Sequence, residues 1–390
     1  MEPELGHTPR QEHGRAAVKI RVISDVHLES ILVLGQETFD RREAAQIYVA
    51  LGLLETIVPA EGEKILVVAG DLANVFSRHS TEVSELYTRA LWKLKSVWAH
   101  VVLVAGNHDY WHRKKACPGV ADIDALLEKL CSKIGVHFLQ KRVIEIEGIR
   151  FAGCTLWSNA SNKALMQTND VGKAVDSPEE FRALHADHAA WLKRVLDMGI
   201  IDVVVTHYLP SFRCIAPRYR AKEYEALNLA FATGLDDLIQ PPVQLFLHGH
   251  THEEVHEVIN GVPVHCVPSG YDMDRGSKPL KSGSYSVVPR ANIREPNELA
   301  TAAVDSFMHS LEHRTIHSEY DGSAALIEEL APDKDKDEQP APVSVELTAV
   351  DIETIINILK LTFATSDDVD TVIEAKQLIK LFAPYAQQQE

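Results

Sequence analysis

From about residue 17 to residue 271 the chain repeats one rhythm: a short apolar run, a polar cluster, then a longer amphipathic stretch. The runs Ile20–Ile23, Ile65–Val68, Val101–Val104, Val203–Val205 and Val243–Leu247 are near-continuously apolar, as strands buried on both faces read. Between them the apolar positions change to helical spacing. Val83, Leu86, Tyr87, Leu91, Leu94 and Val97 predict a helix from about Ser80 to Trp98. Phe181, Leu184, Trp191 and Val195 predict another from Pro178 to about Asp197, with the proline in its first turn. Two pairs of β-rich segments flank tight-turn dipeptides: Val143–Ile146 and Ile149–Cys154 around Glu147-Gly148, and Val255–Ile259 and Val262–Val267 around Asn260-Gly261. Strands that alternate with helices, interrupted by hairpins, make an α/β protein with a mixed sheet.

The same pattern divides the chain. Residues 1–16 are polar and expected to be disordered, and 17–275 form the patterned domain. After Tyr271 the rhythm stops, and 276–330 read as a partly helical extension. Residues 331–345, opening APDKDKDEQPAP, read as an acidic, proline-bearing linker. Beyond it, 346–386 read as a helical hairpin whose two helices open with the capping pairs Thr348/Asp351 and Thr365/Asp368. So small a hairpin cannot bury its own apolar faces and is expected to dock on something or to mediate oligomerisation.

Composition narrows the class. The 390 residues carry 39 basic and 56 acidic side chains, a formal charge of 39 − 56 = −17. From Glu319 onward there are 16 acidic and 5 basic residues, a net of −11, which leaves −6 for everything before it. A surface without a basic stripe argues against long nucleic acids and anionic membranes as partners. The five cysteines have no CxxC spacing, which excludes a thiolate zinc site and fits a reducing compartment. No apolar stretch approaches bilayer-spanning length and the N-terminus has no signal-peptide core, so a cytoplasmic protein is expected.

The chemistry stands straight after the strands. Ile20–Ile23 leads into Asp25 and His27, Ile65–Val68 into Gly70-Asp71 and Asn74, and Val101–Val104 into Gly106-Asn107-His108-Asp109. Val203–Val205 leads into His207, and Val243–Leu247 into His248-Gly249-His250 and His252. In an open α/β sheet, ligands bind beyond the carboxyl ends of the strands, so these residues are expected on one edge. Imidazole and carboxylate donors without thiolate suit divalent Mn, Fe, Zn or Co. The set is too large for one ion, and two ions sharing a carboxylate form a clamp for phosphoryl displacement.

In order and spacing, the series D-x-H, G-D-x-x-N, G-N-H-D, a lone strand-end H and G-H-x-H resembles the calcineurin-like metallophosphoesterase superfamily, over roughly residues 17–275. Thr206-His207-Tyr208-Leu209-Pro210-Ser211 and Pro268-Ser269-Gly270-Tyr271 look like a soluble, bacterial-type subgroup of it. The resemblance implies a two-layer mixed β-sandwich flanked by helices, here with a C-terminal helical appendage. It implies that Asp25, His27, Asp71 and His252 hold one ion, and Asp71, Asn107, His207 and His250 the other. His108 is then the non-ligand histidine beside the scissile phosphate, with Asp109 orienting its ring. The reaction implied is hydrolysis of a phosphate ester by in-line attack of a hydroxide shared by the two ions. A small phosphorylated substrate is expected, a nucleotide among the candidates.

Two positions depart from the subgroup. Tyr208 stands where a second histidine is frequent, and the closing loop reads Val267-Pro-Ser-Gly-Tyr271 without the arginine frequent there. Arg213, Arg218 and Arg220 are candidate substitutes for that phosphate contact. His185, His188 and His248 are assigned to packing or local bonding, Asn74 to a turn, and His309, His313 and His317 to a partly exposed helix face. Trp111 and His112 are placed at the substrate mouth as one of two alternatives. Two other readings share the core. One is a nucleotide phosphodiesterase or pyrophosphatase, the other a non-catalytic scaffold, which the full ligand set disfavours.

Overall fold

In the computed structural model, residues 16–34, 41–76, 83–112, 119–275 and 278–290 are described. Their strands form two sheets. The first has the order β11-β1-β2-β3-β4, from β1 (Val18–Ile23), β2 (Glu63–Ala69), β3 (His100–Val104), β4 (His137–Phe138) and β11 (Gly283–Val287). Strands β1 to β4 run parallel, and β11 lies antiparallel to β1. The second has the order β5-β6-β7-β8-β10-β9, from β5 (Arg142–Ile146), β6 (Ile149–Cys154), β7 (Val203–Thr206), β8 (Leu245–His248), β9 (Val255–Ile259) and β10 (Val262–Cys266). Its β6, β7, β8 and β10 are parallel, while β5 and β9 add the two expected hairpins. The turn residues Glu147-Gly148 and Asn260-Gly261 all have positive φ, as two-residue hairpin turns require.

Alternation along the strands explains the apolar runs. Ile20, Val22, Ile65, Val67, Val102 and Val104 face Phe151, Val203, Val205, Leu245 and Leu247 across the sandwich. The intervening Ile23, Leu66, Val68, Leu103, Val204 and Phe246 belong to the outer layer, with Leu86, Leu91 and Leu94 on one side and Phe181 and Leu192 on the other. Each such side chain, fully buried, contributes roughly 1.5–3 kcal/mol of transfer free energy. The helices are α1 (Arg41–Leu53), α2 (Glu85–Val97), the single turn α3 (Asn107–Tyr110), α4 (Val120–Ile134), α5 (Asn162–Leu165), α6 (Pro178–Asp197) and the short α7 (Glu225–Asn228) and α8 (Asp272–Arg275). Helix α6 opens as expected, with the Ser177 side chain capping Glu180 N and Pro178 in the first turn. Helix α2 starts later than Ser80, because Ser84 is its N-cap and Val83 pairs with Phe76 instead.

One boundary moves. The first sheet is completed by β11, beyond residue 275, where the sequence pattern ended the domain. The segment Gly283–Val287 alternates small polar residues with partly exposed positions, so it carries too little apolar signal to read as a strand. Residues 276–277 and 291–330 of the extension, the linker and the hairpin of 346–386, with His309, His313 and His317, lie outside the described residues, as does the N-terminal segment up to residue 15. No helix among the described residues is long and apolar enough to cross a membrane.

Candidate metal centre

The strand ends converge as expected. Asp25, His27, Asp71 and His252 offer ligand atoms that all lie within 4.8 Å of one another, and so do Asp71, His207 and His250. Backbone geometry places them. Asp25, His27, Asp71, His250 and His252 all have φ between 49° and 70°, five of the ten non-glycine residues with positive φ among those described. Such conformations cost of order 1–3 kcal/mol each and persist where the surroundings impose them. Here they turn each side chain off its strand end toward a common centre. Gly106 is required by a close approach: a Cβ there would fall 2.2 Å from Asp71 Oδ1 and 2.6 Å from Asp71 N.

Hydrogen bonds fix which nitrogen each imidazole presents. His207 Nδ1 donates to the Ala69 carbonyl (2.9 Å), so its Nε2 lone pair faces Asn107 Oδ1 at 2.9 Å and Asp71 Oδ2 at 3.4 Å. His27 Nδ1 donates to Glu29 Oε1 (3.0 Å), so its Nε2 faces His252 Nε2 at 2.9 Å and Asp71 Oδ2 at 3.5 Å. Asp71 spends Oδ1 on the His108 amide (2.8 Å) and Asp25 spends Oδ1 on the His250 amide (2.8 Å). The second oxygens, Asp71 Oδ2 and Asp25 Oδ2, and His250 Nε2 are buried with no hydrogen-bond partner. Lone pairs therefore point at one another from two directions with Asp71 Oδ2 common to both. That arrangement is unfavourable unless cations lie between them.

A proton is the smallest such cation. Burial alone would lower the pKa of His27, but the Glu29, Asp71 and Asp25 carboxylates hold it up to about 9. Burial opposes charge on His207 too, and Asp71 and Asp25 raise it to about 9. Burial works against the Asp71 carboxylate, yet His207, His108 and His27 keep it well below the ordinary range. Two divalent ions would replace these protons, and the donor set of carboxylate, imidazole and amide oxygen fits them.

The profile of calcineurin-like phosphoesterases matches residues 18–254, more than half of the chain. The chain belongs to the calcineurin-like phosphoesterase family. This phosphoesterase is a metal-dependent phosphoester hydrolase, and the clusters above are candidates for the metal centre that such an enzyme needs. It is 24% identical over 277 residues to an uncharacterized protein of Acanthamoeba polyphaga mimivirus, covering 66% of this chain and 93% of that one. It is similar to a phosphopantetheinyl hydrolase from Mycobacterium tuberculosis (19% identity, TM-score 0.49, 71% of this chain and 98% of that one). It is also similar to a dimetal phosphatase from Danio rerio (15% identity, TM-score 0.41, 71% and 98%).

Around the phosphoesterase centre, some expected roles change hands. Asp109 does not orient the His108 ring. Its Oδ2 accepts from Gly106 N (2.6 Å) and Asp71 N (2.9 Å), closing the first turn of α3 and fixing the Asp71 backbone. Successive residues of a helical turn point in different directions, so Asp109 folds back while His108 points out. Burial first, then the Asp71 carboxylate, pushes Asp109 up to about 7. The His108 ring is held by Glu29 Oε1 at Nδ1 (3.1 Å) and by the Tyr271 hydroxyl at Nε2 (3.0 Å), and Trp111 stacks on it with ring centres 3.5 Å apart. From sequence, Glu29 has no place in the site, and Tyr271 has only a place in the closing motif, without a role. Glu29 stands two residues after His27, and that spacing was the available signal.

The candidate arginines are all engaged locally. Arg213 binds Glu257 and the Val258 carbonyl, Arg220 the Ile215 and Arg213 carbonyls, and Arg218 pairs with Glu253 at 2.6 Å. Local carboxylates and carbonyls neutralise them on an exposed loop. Asn74 reaches across to the His108 carbonyl (2.7 Å) rather than bonding within its own turn. His185 Nδ1 donates to Leu156 O (3.0 Å) and His188 Nδ1 accepts from Leu156 N (3.1 Å), so both brace the positive-φ pair Leu156-Trp157 from α6. His248 Nδ1 bonds Gly249 O (2.9 Å) from a fully buried position, in keeping with local bonding. His112 is tied by its backbone N–H to the Lys173 carbonyl (2.8 Å).

Proposed function

We propose that this phosphoesterase holds two divalent ions and hydrolyses an ester of a small phosphorylated molecule by in-line displacement. Asp25, His27, Asp71 and His252 hold one ion, and Asp71, Asn107, His207 and His250 the other. The observation that carries this reading is Asp71 Oδ2, buried and unpartnered between His27 Nε2 at 3.5 Å and His207 Nε2 at 3.4 Å. When bound, the ions would supply Lewis acidity toward the phosphate oxygens and lower the pKa of the attacking water.

The residues of the chain do the rest. His108 is anchored by its amide to Asp71 Oδ1 and by Nδ1 to Glu29, so its Nε2, which meets the Tyr271 hydroxyl at 3.0 Å, is the edge left to face a substrate. From there it gives a proton to the departing oxygen or balances charge on the phosphate. Glu29 binds both His27 and His108 and so sets the ring planes of a ligand and of the acid together. Trp111 and Tyr271 close over His108 and keep water from its ring.

The test is turnover of an aryl phosphomonoester and its matching diester by chelator-stripped protein reloaded with Mn²⁺. Turnover of at least one ester, dependent on the ion and about 10²–10⁴-fold lower in His108→Ala with both ions retained, is the expected result. Protein that holds two ions and turns over neither ester would contradict the reading.

A further inference from the structure

We propose that Asp170 is the positioning residue that makes Asn107 face the centre with its oxygen, and that seats Trp111 on His108. The proposal rests on the ligand assignment above. Asp170 lies in the loop after α5, where the sequence carries no recognisable motif, and it is only 2% exposed. Its Oδ1 accepts from Asn107 Nδ2 (2.7 Å) and from the Trp111 indole (2.9 Å), and its Oδ2 accepts from the Tyr208 hydroxyl (3.1 Å). The loop is fixed in turn, because the Asp170 carbonyl accepts from Ala174 N (2.8 Å) and Val175 N (3.1 Å).

A carboxamide has an oxygen end and an NH₂ end of nearly equal shape, and only its surroundings decide which end faces a site. A carboxylate can only accept, so at 2.7 Å it takes the NH₂ end of Asn107. The oxygen is thereby forced toward His207 Nε2 (2.9 Å) and His250 Nδ1 (3.1 Å). The reversed amide would aim two N–H donors at the place where the lone pairs converge and would repel a cation there. The same carboxylate draws in the indole whose ring lies 25° from the plane of His108. Tyr208, the residue that departs from the subgroup pattern after His207, supplies the third donor, with its ring 4.1 Å from that of His250. One buried acceptor thus couples a candidate ligand just beyond β3, the ring over His108 and the second residue after β7.

The experiment measures Mn²⁺ binding to the full-length, chelator-stripped protein by equilibrium dialysis, in the wild type and in Asn107→Ala, Asp170→Ala and Asp170→Asn. Two ions in the wild type and one tight ion in Asn107→Ala would establish the ligand assignment on its own. Asp170→Ala is then expected to bind one ion as the wild type does and the other about 10–100-fold more weakly. Asp170→Asn is expected to restore it, because an amide oxygen still accepts from both Asn107 and Trp111 while the NH₂ finds the Tyr208 hydroxyl oxygen. Should Asp170→Ala not fold, Asn107→Asp tests the same point by placing two carboxyl groups face to face, which must weaken that ion, and Asn107→Asp with Asp170→Asn must recover it. Wild-type affinity for both ions in Asp170→Ala, or in Asn107→Asp alone, overturns the proposal. So does an Asp170→Asn variant as weak as Asp170→Ala. Fewer than two ions in the wild type overturns the ligand assignment instead.

Discussion

Asp71 is the one carboxylate common to both halves of the centre, and replacing it separates a shared ligand from two independent sites. In Asp71→Asn the amide oxygen that replaces Oδ1 still accepts from the His108 amide, so the loop around α3 keeps its anchor. What is lost is the charged oxygen facing His27 Nε2 at 3.5 Å and His207 Nε2 at 3.4 Å. An ion that binds only the folded state stabilises it by about 2.7 kcal/mol when present at 100 times its dissociation constant. Two ions then contribute about 5.4 kcal/mol, which for a domain of this size raises the unfolding midpoint on the order of 10–20 °C. Thermal unfolding of stripped protein with increasing Mn²⁺ should show that rise in the wild type, about half of it in His252→Ala, and almost none in Asp71→Asn. Each variant is compared with its own stripped form, which removes any effect of the substitution on the ion-free fold. An Asp71→Asn protein that keeps half the rise and binds one ion at wild-type affinity would refute the sharing.

Three further outcomes follow from the same geometry. Gly106→Ala forces a methyl group to within 2.2 Å of Asp71 Oδ1, so it should cost about 1–3 kcal/mol of stability and abolish ion binding, read by unfolding and metal analysis. In stripped protein, His27 and His207 have pKa values raised to about 9, against about 6.5 when unfolded, so their contribution is complete below pH 6.5 and lost as pH rises toward 9. The midpoint of stripped protein should therefore fall across that window, and fall less in Glu29→Gln, which lacks the carboxylate that raises His27; an equal fall in both would contradict the assignment of cause. His108→Ala should hurt substrates with poor leaving groups even more than aryl esters, because a more basic departing oxygen needs the proton more, and a uniform loss across a leaving-group series would remove the general-acid role.

How much of this was legible in the chain depends on the range of each interaction. The inner strands declared themselves because both faces are buried, which forces near-continuous apolar runs such as Ile65–Val68. The ligand candidates declared themselves because each follows its strand within a few residues. Asp170 and Tyr271 gave no such signal, since their partners lie 63 and 163 residues away in sequence at Asn107 and His108. Adjacency misled at Asp109, where the neighbouring ring was the obvious partner and the turn of α3 sent the carboxylate to Gly106 and Asp71 instead. Arg213, Arg218 and Arg220, which look like free cations in the sequence, meet Glu253, Glu257 and carbonyls in the fold, pairings that sequence distance hides. Strand β11 was hidden because an edge strand with one well-buried residue, Val287, needs little apolar patterning.

The proposed chemistry requires two ions flanking one carboxylate oxygen. Its most direct test is anomalous scattering from crystals of the stripped protein soaked in Mn²⁺. Two peaks about 3.5–4 Å apart, with Asp71 Oδ2 between them, His27 and His252 at one and Asn107, His207 and His250 at the other, are the expected result. A single peak, or a pair that leaves Asp71 bound to only one ion, would contradict it.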